Sequence, residues 1–403
     1  MVGLVRLVSL TLLTASPRER TLPRLLVMAK LTLGKHFLTK RFSPQTQFHK
    51  YHKQKSHQKE KDMQTKLTEG KLLTNGRLAQ AGYSTSTVRH YDRRDIKGHA
   101  WRIKEWDYYI VTDGQKAVAL TIADNSYMSL VSASFLDFTK PTFKTTSAMK
   151  WLTFGKLNLP GCPEQGDVNY ADKRVQMSFV KNADKRVLKC RFDKFWDGTP
   201  FECELTLTDF PQDQMTIATP FNKPHAFYYN TKINCMRASG YCTVKGERYE
   251  FDPSTSLGTL DWGRGIWTYK NTWYWSSLQT RLDDGRTFGF NLGYGFGDTT
   301  AASENMLFVD GIAHKLDRVT FDIPTKNGKD DFMSTWLITD NEGRLDMTFT
   351  PILDRADKTD ALIISSDQHQ VFGMFNGTAT LDDGTVLNIS NALGFAEKVK
   401  NKW

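Results

Sequence analysis

DWGRGIWTYKNTWYWSSLQTRLDDGRTFGFNLGYGFG, Asp261 to Gly297, is the stretch on which the fold turns. Four of the chain's ten tryptophans (Trp262, Trp267, Trp273, Trp275) and seven of its glycines fall inside it. Large rings need burial, and glycine lets backbone approach backbone or ligand closely, so the segment reads as tightly built β-structure. Trp273 and Trp275 alternate, as do Trp267, Tyr269 and Asn271, which puts each set on one side of a strand. If that side lines a barrel interior, it makes an aromatic pocket for a flat apolar or isoprenoid ligand. Ordinary core packing would need the same rings. One charged pair, Asp261 and Arg264, stands at the entrance.

Strand signals continue outward on both sides. VQMSFV, RVLKCRF, FECELTLTDF, LDMTFTP and TVLNISNA alternate or run β-branched and aromatic, separated by Asp, Asn and Gly turns. LDDGRTFGF (Leu282–Phe290) and LDDGTVLNI (Leu381–Ile389) each place an Asp-Gly turn between strands, a hairpin signature. No window shows a convincing amphipathic helix; Ala301–Phe308 is the best short helix candidate. The expected class is all-β. So many short antiparallel strands over roughly 340 residues exceed one small barrel and suit two. The Pro/Ser/Gly stretch Asp252–Gly258 is the expected boundary, giving halves 63–252 and 258–403, the second carrying the DWGRG, WYW and GYGFGD motifs.

The whole chain of 403 residues carries a net charge of +10. That charge is local: residues 1–62 hold 13 Lys/Arg against 3 Asp/Glu, while the remainder is balanced at 41 of each. The basic balance therefore gives no reason to expect nucleic acid as a partner of the folded part. Val2–Ala15 is apolar but stops short of the roughly 20 residues needed to span a bilayer, and PRERTLPR follows in place of a small-residue cleavage site. Gln45–Lys61 is Lys/His/Gln-rich and expected to be disordered. Lys59-Glu60 can be encoded AAG-GAG, a purine-rich ribosome-binding sequence just before Met63. Residues 1–62 therefore read as a mis-called start, which would leave a cytoplasmic protein. The alternative is a leader or membrane-associating segment within residues 1–27. The five cysteines show neither CxxC nor zinc-ligand spacing and read as reduced, buried thiols.

DWGRG, WYW, FGFNLGYGFGD, SENM, SDQHQVFG (Ser366–Gly373), LDDGT (Leu381–Thr385) and GFAEKVKNKW resemble an uncharacterised bacterial family, the domain of unknown function 2804. KEWDYY (Lys104–Tyr109) and ATPFNKPHAFYYNTKIN (Ala218–Asn234) resemble its N-terminal half, so the likeness runs from about Met63 to Trp403. A DW/WGR element followed by W-x-W, a strand and DG is also similar to the lipocalin-like carotenoid hydratase and tocopherol cyclase group. That resemblance implies two lipocalin-like antiparallel barrels or curved sheets packed together. In that group an acid near Asp261 would protonate an alkene or bind water.

The candidate site follows. Asp261 and Arg264 are expected to form a bidentate pair, structural or functional, with Asp261 a candidate acid if burial raises its pKa. Trp267, Trp273, Trp275, Asn291 and Glu304 would line the ligand site. By alternation Gln368 and Gln370 share one strand face as a polar grip, and His369 takes the other with Val371. His369 is a second candidate catalytic residue, although no GxSxG nucleophile or second His at metal spacing accompanies it. Glu105 and Asp107 share a face, either for acid/base work or to flank an arginine. The glycines of GYGFGD open onto no helix of a βαβ unit, so a dinucleotide loop is not expected. No metal and no cofactor is expected. Three functions stay open: a carrier of an apolar or amphipathic small molecule, a hydratase/cyclase-type enzyme, and carbohydrate binding.

Overall fold

Every residue of the strand Leu257–Ile266 is buried. A strand with one wet face shows alternation instead, as Val175–Lys181 does with Val175, Met177 and Phe179 inside. Leu257–Ile266 is therefore covered on both faces, which locates the centre of the molecule. The computed structural model describes residues 64–361 and 364–402, so the expectations for residues 1–62 lie outside the described part.

Two large sheets make up the described chain. The first has 13 strands, its main run ordered Val168–Ala171, Val175–Lys181, Arg186–Trp196, Thr199–Thr208, Phe227–Val244, Leu257–Ile266, Ile103–Thr112, Lys116–Asp124, Met128–Asp137 and Thr142–Trp151. The second has nine, with Thr287–Tyr294, Lys270–Arg281, Val386–Lys402, Ile364–Thr380 and Leu345–Ala361 in consecutive order. Ladder pairing within both large sheets is antiparallel. The fold is all-β, two curled antiparallel sheets packed together, as the resemblance implied. Both Asp-Gly turns join paired strands, and Gly285 (φ 88) and Gly384 (φ 86) take the left-handed conformation those turns require.

Each sheet curls around its own core. The first buries Tyr109, Phe179, Leu205, Tyr229 and Trp262; the second buries Phe290, Trp336, Phe349 and Phe375. A third cluster lies between them, where Ile110, Ala119 and Phe138 of the first sheet meet Trp275, Phe372 and Phe395 of the second. This seam joins the outer faces of the two sheets.

Three expectations need correction. Within Asp252–Gly258, residues 252–256 form a turn inside the first sheet and Leu257 and Gly258 already begin the strand Leu257–Ile266, which pairs with Phe227–Val244 and Ile103–Thr112. DWGRG thus belongs to the first sheet, and the change of sheet falls between Ile266 and Lys270. Trp267 lies in that link, not on the strand that carries Asn271, so the alternation of Trp267, Tyr269 and Asn271 is accidental; Trp267 is buried and Tyr269 exposed. Ala301–Phe308 is not helical: Met306–Val309 pairs with Thr287–Tyr294 as a strand. The apolar run Met306–Val309 wins there, because it completes a buried ladder.

Candidate functional site at the seam

Alternation sorts the side chains of the central strands into two sets. On Leu257–Ile266, Trp262 and Arg264 point into the first sheet's interior, while Asp261 and Gly263 point to the seam. On Phe227–Val244, Tyr229 goes inward and Tyr228, Asn230 and Lys232 go to the seam. The second sheet answers with Trp273 and Trp275, Asn291, Gln370 and Glu397.

Asp261 and Arg264 are three residues apart on one strand, so they face opposite ways and do not pair. Asp261 Oδ1 instead accepts from Lys232 Nζ at 2.8 Å and Asn230 Nδ2 at 2.7 Å. Arg264 pairs with Asp107 at 2.8 Å inside the first sheet, where Lys181 also reaches Asp107 at 3.1 Å. Glu105 and Asp107 do share that interior face and flank Arg264, one of the two roles foreseen for them.

Two further acids converge on the seam. Glu397 accepts from Trp273 Nε1 (2.8 Å) and Gln370 Nε2 (3.1 Å). Its pKa is pushed up to about 7 by burial, which outweighs the Trp273 hydrogen bond and the Lys232 and Arg355 charges. Asn291 accepts from Trp275 Nε1 at 2.7 Å and donates to Glu304 Oε2 at 3.1 Å. Burial also raises the Glu304 pKa, with Asp261 adding to the effect. Gly293 makes room for this carboxylate, since a Cβ there would lie 2.5 Å from Glu304 Oε1. Tyr228 is held far above the ordinary phenol range, first by burial and then by Asp261, Glu304 and Glu397 together.

A pocket opens on the same seam, with about 310 Å³ of empty space that includes open solvent. Ile110, Phe138, Thr259, Ser277, Phe372 and Phe395 are among its lining residues. Five of these stand two residues along their strands from Tyr108, Asp261, Trp275, Gln370 and Glu397. One pleat repeat, roughly 7 Å, thus separates a largely apolar lining from the polar cluster.

Of the expected site residues, Asp261, Trp273, Trp275, Asn291, Glu304 and Gln370 come together. Trp273 and Trp275 share a face as expected, but that face is the seam and not a barrel interior. Trp267 packs beside them through Trp106, Tyr228 and Phe296. Gln368, half-buried, shares the Gln370 face further along the strand. His369 is on the opposite face, its Nδ1 2.7 Å from Asp354 and its ring stacked on Phe332 at 3.8 Å, away from the three seam acids. Glu397 is the seam acid that the sequence reading left out. Its signal was an acid directly after the apolar run GFA in GFAEKVKNKW. Among the described residues no group of three or more His, Cys, Asp or Glu side chains is placed to hold a metal ion.

Fold and site together define an all-β protein of two curled antiparallel sheets with acids and indoles gathered where they meet. The chain belongs to the family named domain of unknown function 2804, whose model matches residues 62–403. No match was found among curated proteins. Among solved structures, an AttH-type protein of Nitrosomonas europaea shares 12% identity with a TM-score of 0.47, over 78% of this chain and 98% of its own. Kievitone hydratase of Nectria haematococca shares 12% identity with a TM-score of 0.45, over 74% of this chain and 88% of its own.

Proposed function

We propose that the protein binds an apolar or amphipathic small molecule in the seam between its two sheets. The observation that carries this reading is the sharing of strands: the same five that line the apolar pocket present Tyr108, Asp261, Trp275, Gln370 and Glu397 one pleat away. An apolar body against Ile110, Phe372 and Phe395, with a polar end directed toward Lys232 and Glu397, uses both halves of that arrangement. The test is native mass spectrometry of protein purified from its source, beside Leu393→Trp, which fills the pocket. The wild type should carry an apolar molecule that the variant lacks. A wild type that retains none, and that takes up no apolar fluorophore, removes the reading.

A second reading, catalysis of hydration, is favoured by one observation, the carboxyl of Glu397 with its pKa near 7. A group poised there suits general acid work near neutral pH. Glu397 would give its proton to an alkene carbon, water would add to the resulting cation, and the proton that water sheds would return to the carboxylate. Incubating the recovered ligand with protein in ¹⁸O-labelled water tests it: a labelled product that gains one water, absent with Glu397→Gln, is the expected result. An unchanged ligand leaves binding alone.

A further inference from the structure

Lys181 and Arg186 are directly opposite each other across a hairpin. Residues so placed share a face, and like charges there repel. Both are buried, and the Lys181 side chain is fully enclosed. They close the ladder just before the exposed turn 182–185, so they stand at the rim of the first sheet with their side chains turned inward. Arg264, fully buried in the same interior, brings a third cation.

Arg264 is satisfied by Asp107 and by the carbonyls of Trp106, Gly263 and Pro160, whereas acceptors for Lys181 and Arg186 are few. Asp107 serves both Lys181 and Arg264. Arg186 donates to the Tyr109 hydroxyl at 3.1 Å and lies over the Phe210 ring, but has no ion pair among the described residues. Glu105 also faces Arg264, but it brings a fourth cation with it, Arg93 at 2.5 Å, and accepts from Tyr91 at 2.8 Å. Four cations thus share two carboxylates, and Arg186 is the one with neither. A second observation points the same way. Trp262 is directly opposite Asp107 in the register, and its indole Nε1 is buried with no acceptor. Buried charge without a counter-charge is costly, and so is a buried donor without an acceptor.

We propose that the interior of the first sheet, at the rim formed by Lys181 and Arg186, is a binding site for an oxyanion of the carboxylate or phosphate type. The anion supplies the missing negative charge and accepts from Arg186, Lys181 and Trp262. This site is on the opposite face of the central strands from the seam and does not depend on what the seam binds.

Thermal unfolding in an amine buffer, titrated with inorganic phosphate or acetate against sodium chloride of equal ionic strength, tests it. The wild type should gain roughly 2 to 5 °C, saturably, from an oxyanion and not from chloride. Arg186→Met should lose that gain yet melt no lower than the wild type in anion-free buffer, because one of two opposed cations is gone. Arg186→Lys should keep part of the gain. Should Arg186→Met fail to fold, Lys181→Met gives the same comparison. Decanoate distinguishes the source: a midpoint well below that of acetate that is lost with Arg186→Met indicates the acidic end of a longer molecule, an equal midpoint a free anion. No oxyanion-specific gain in the wild type, or a gain that survives both methionine substitutions, overturns the site.

Discussion

The ammonium of Lys232, carried by the first sheet, lies 3.7 Å from the centre of the Trp275 ring, carried by the second. A desolvated cation over an indole contributes about 2 kcal/mol or more, and this one also holds Asp261 at 2.8 Å. Charge pairing and sheet-to-sheet packing therefore meet in one side chain.

Lys232→Met should cost about 3–5 kcal/mol, because it leaves Asp261 buried with only a neutral partner. Adding Asp261→Asn should return a large part of that loss, since the stranded charge goes with it. Urea unfolding of the two single variants and the double variant measures the coupling. Costs that simply add would show that the pair does not act as a unit.

Glu397 gives stability a definite pH dependence. Its folded-state pKa is raised from 4.5 to about 7. Between those values the unfolded chain releases this proton while the folded chain keeps it. Stability therefore falls as pH rises from about 4.5 to about 7 and is level beyond, a loss on the order of 3 kcal/mol. Glu397→Gln should flatten this part of the profile and raise stability relative to wild type at pH 8. An unchanged slope would mean that another group sets it.

Gly293→Ala tests whether Glu304 matters to the ligand. The added methyl meets the movable end of the Glu304 side chain at 2.5 Å and displaces the carboxylate from Asn291. We expect the melting temperature to shift by no more than a few degrees while retention of the seam ligand drops at least several-fold. Full retention would place Glu304 outside the site.

Gly263→Ala should behave differently, because its methyl would overlap the Trp106 ring atom Cζ2. That indole is rigid and stacks on Tyr228. A loss of about 1–3 kcal/mol is expected from overpacking, read as a lower urea midpoint with the same slope.

Much of the fold was legible because alternation is a local property. Trp273 and Trp275 had to share a face, and the two Asp-Gly pairs had to turn hairpins. The same rule separates Asp261 from Arg264, three residues apart on one strand, and proximity in sequence was given too much weight there. What alternation cannot supply is the surroundings of each face. Nothing local distinguishes an interior from a seam between two outer faces, so the indoles read as barrel lining. Lys232 and Glu397 are 165 residues apart in sequence, and their approach depends on how one sheet docks on the other. Gly263 and Gly293 likewise announced close contact without naming the Trp106 ring or the Glu304 carboxylate as the neighbour.

The register of the second sheet also orders events during synthesis. Lys270–Arg281 finds one neighbour at once in Thr287–Tyr294, but its other is Val386–Lys402. About a hundred residues separate them, which at 5–20 residues per second is roughly 5 to 20 seconds of translation. Throughout that interval Trp273 and Trp275 are on an open sheet edge, and Glu397, the acceptor for Trp273, has not yet been made. The nascent protein thus passes through a stage with the first sheet's strands complete and an aromatic edge exposed, the stage at which it is most open to mispairing or to a chaperone.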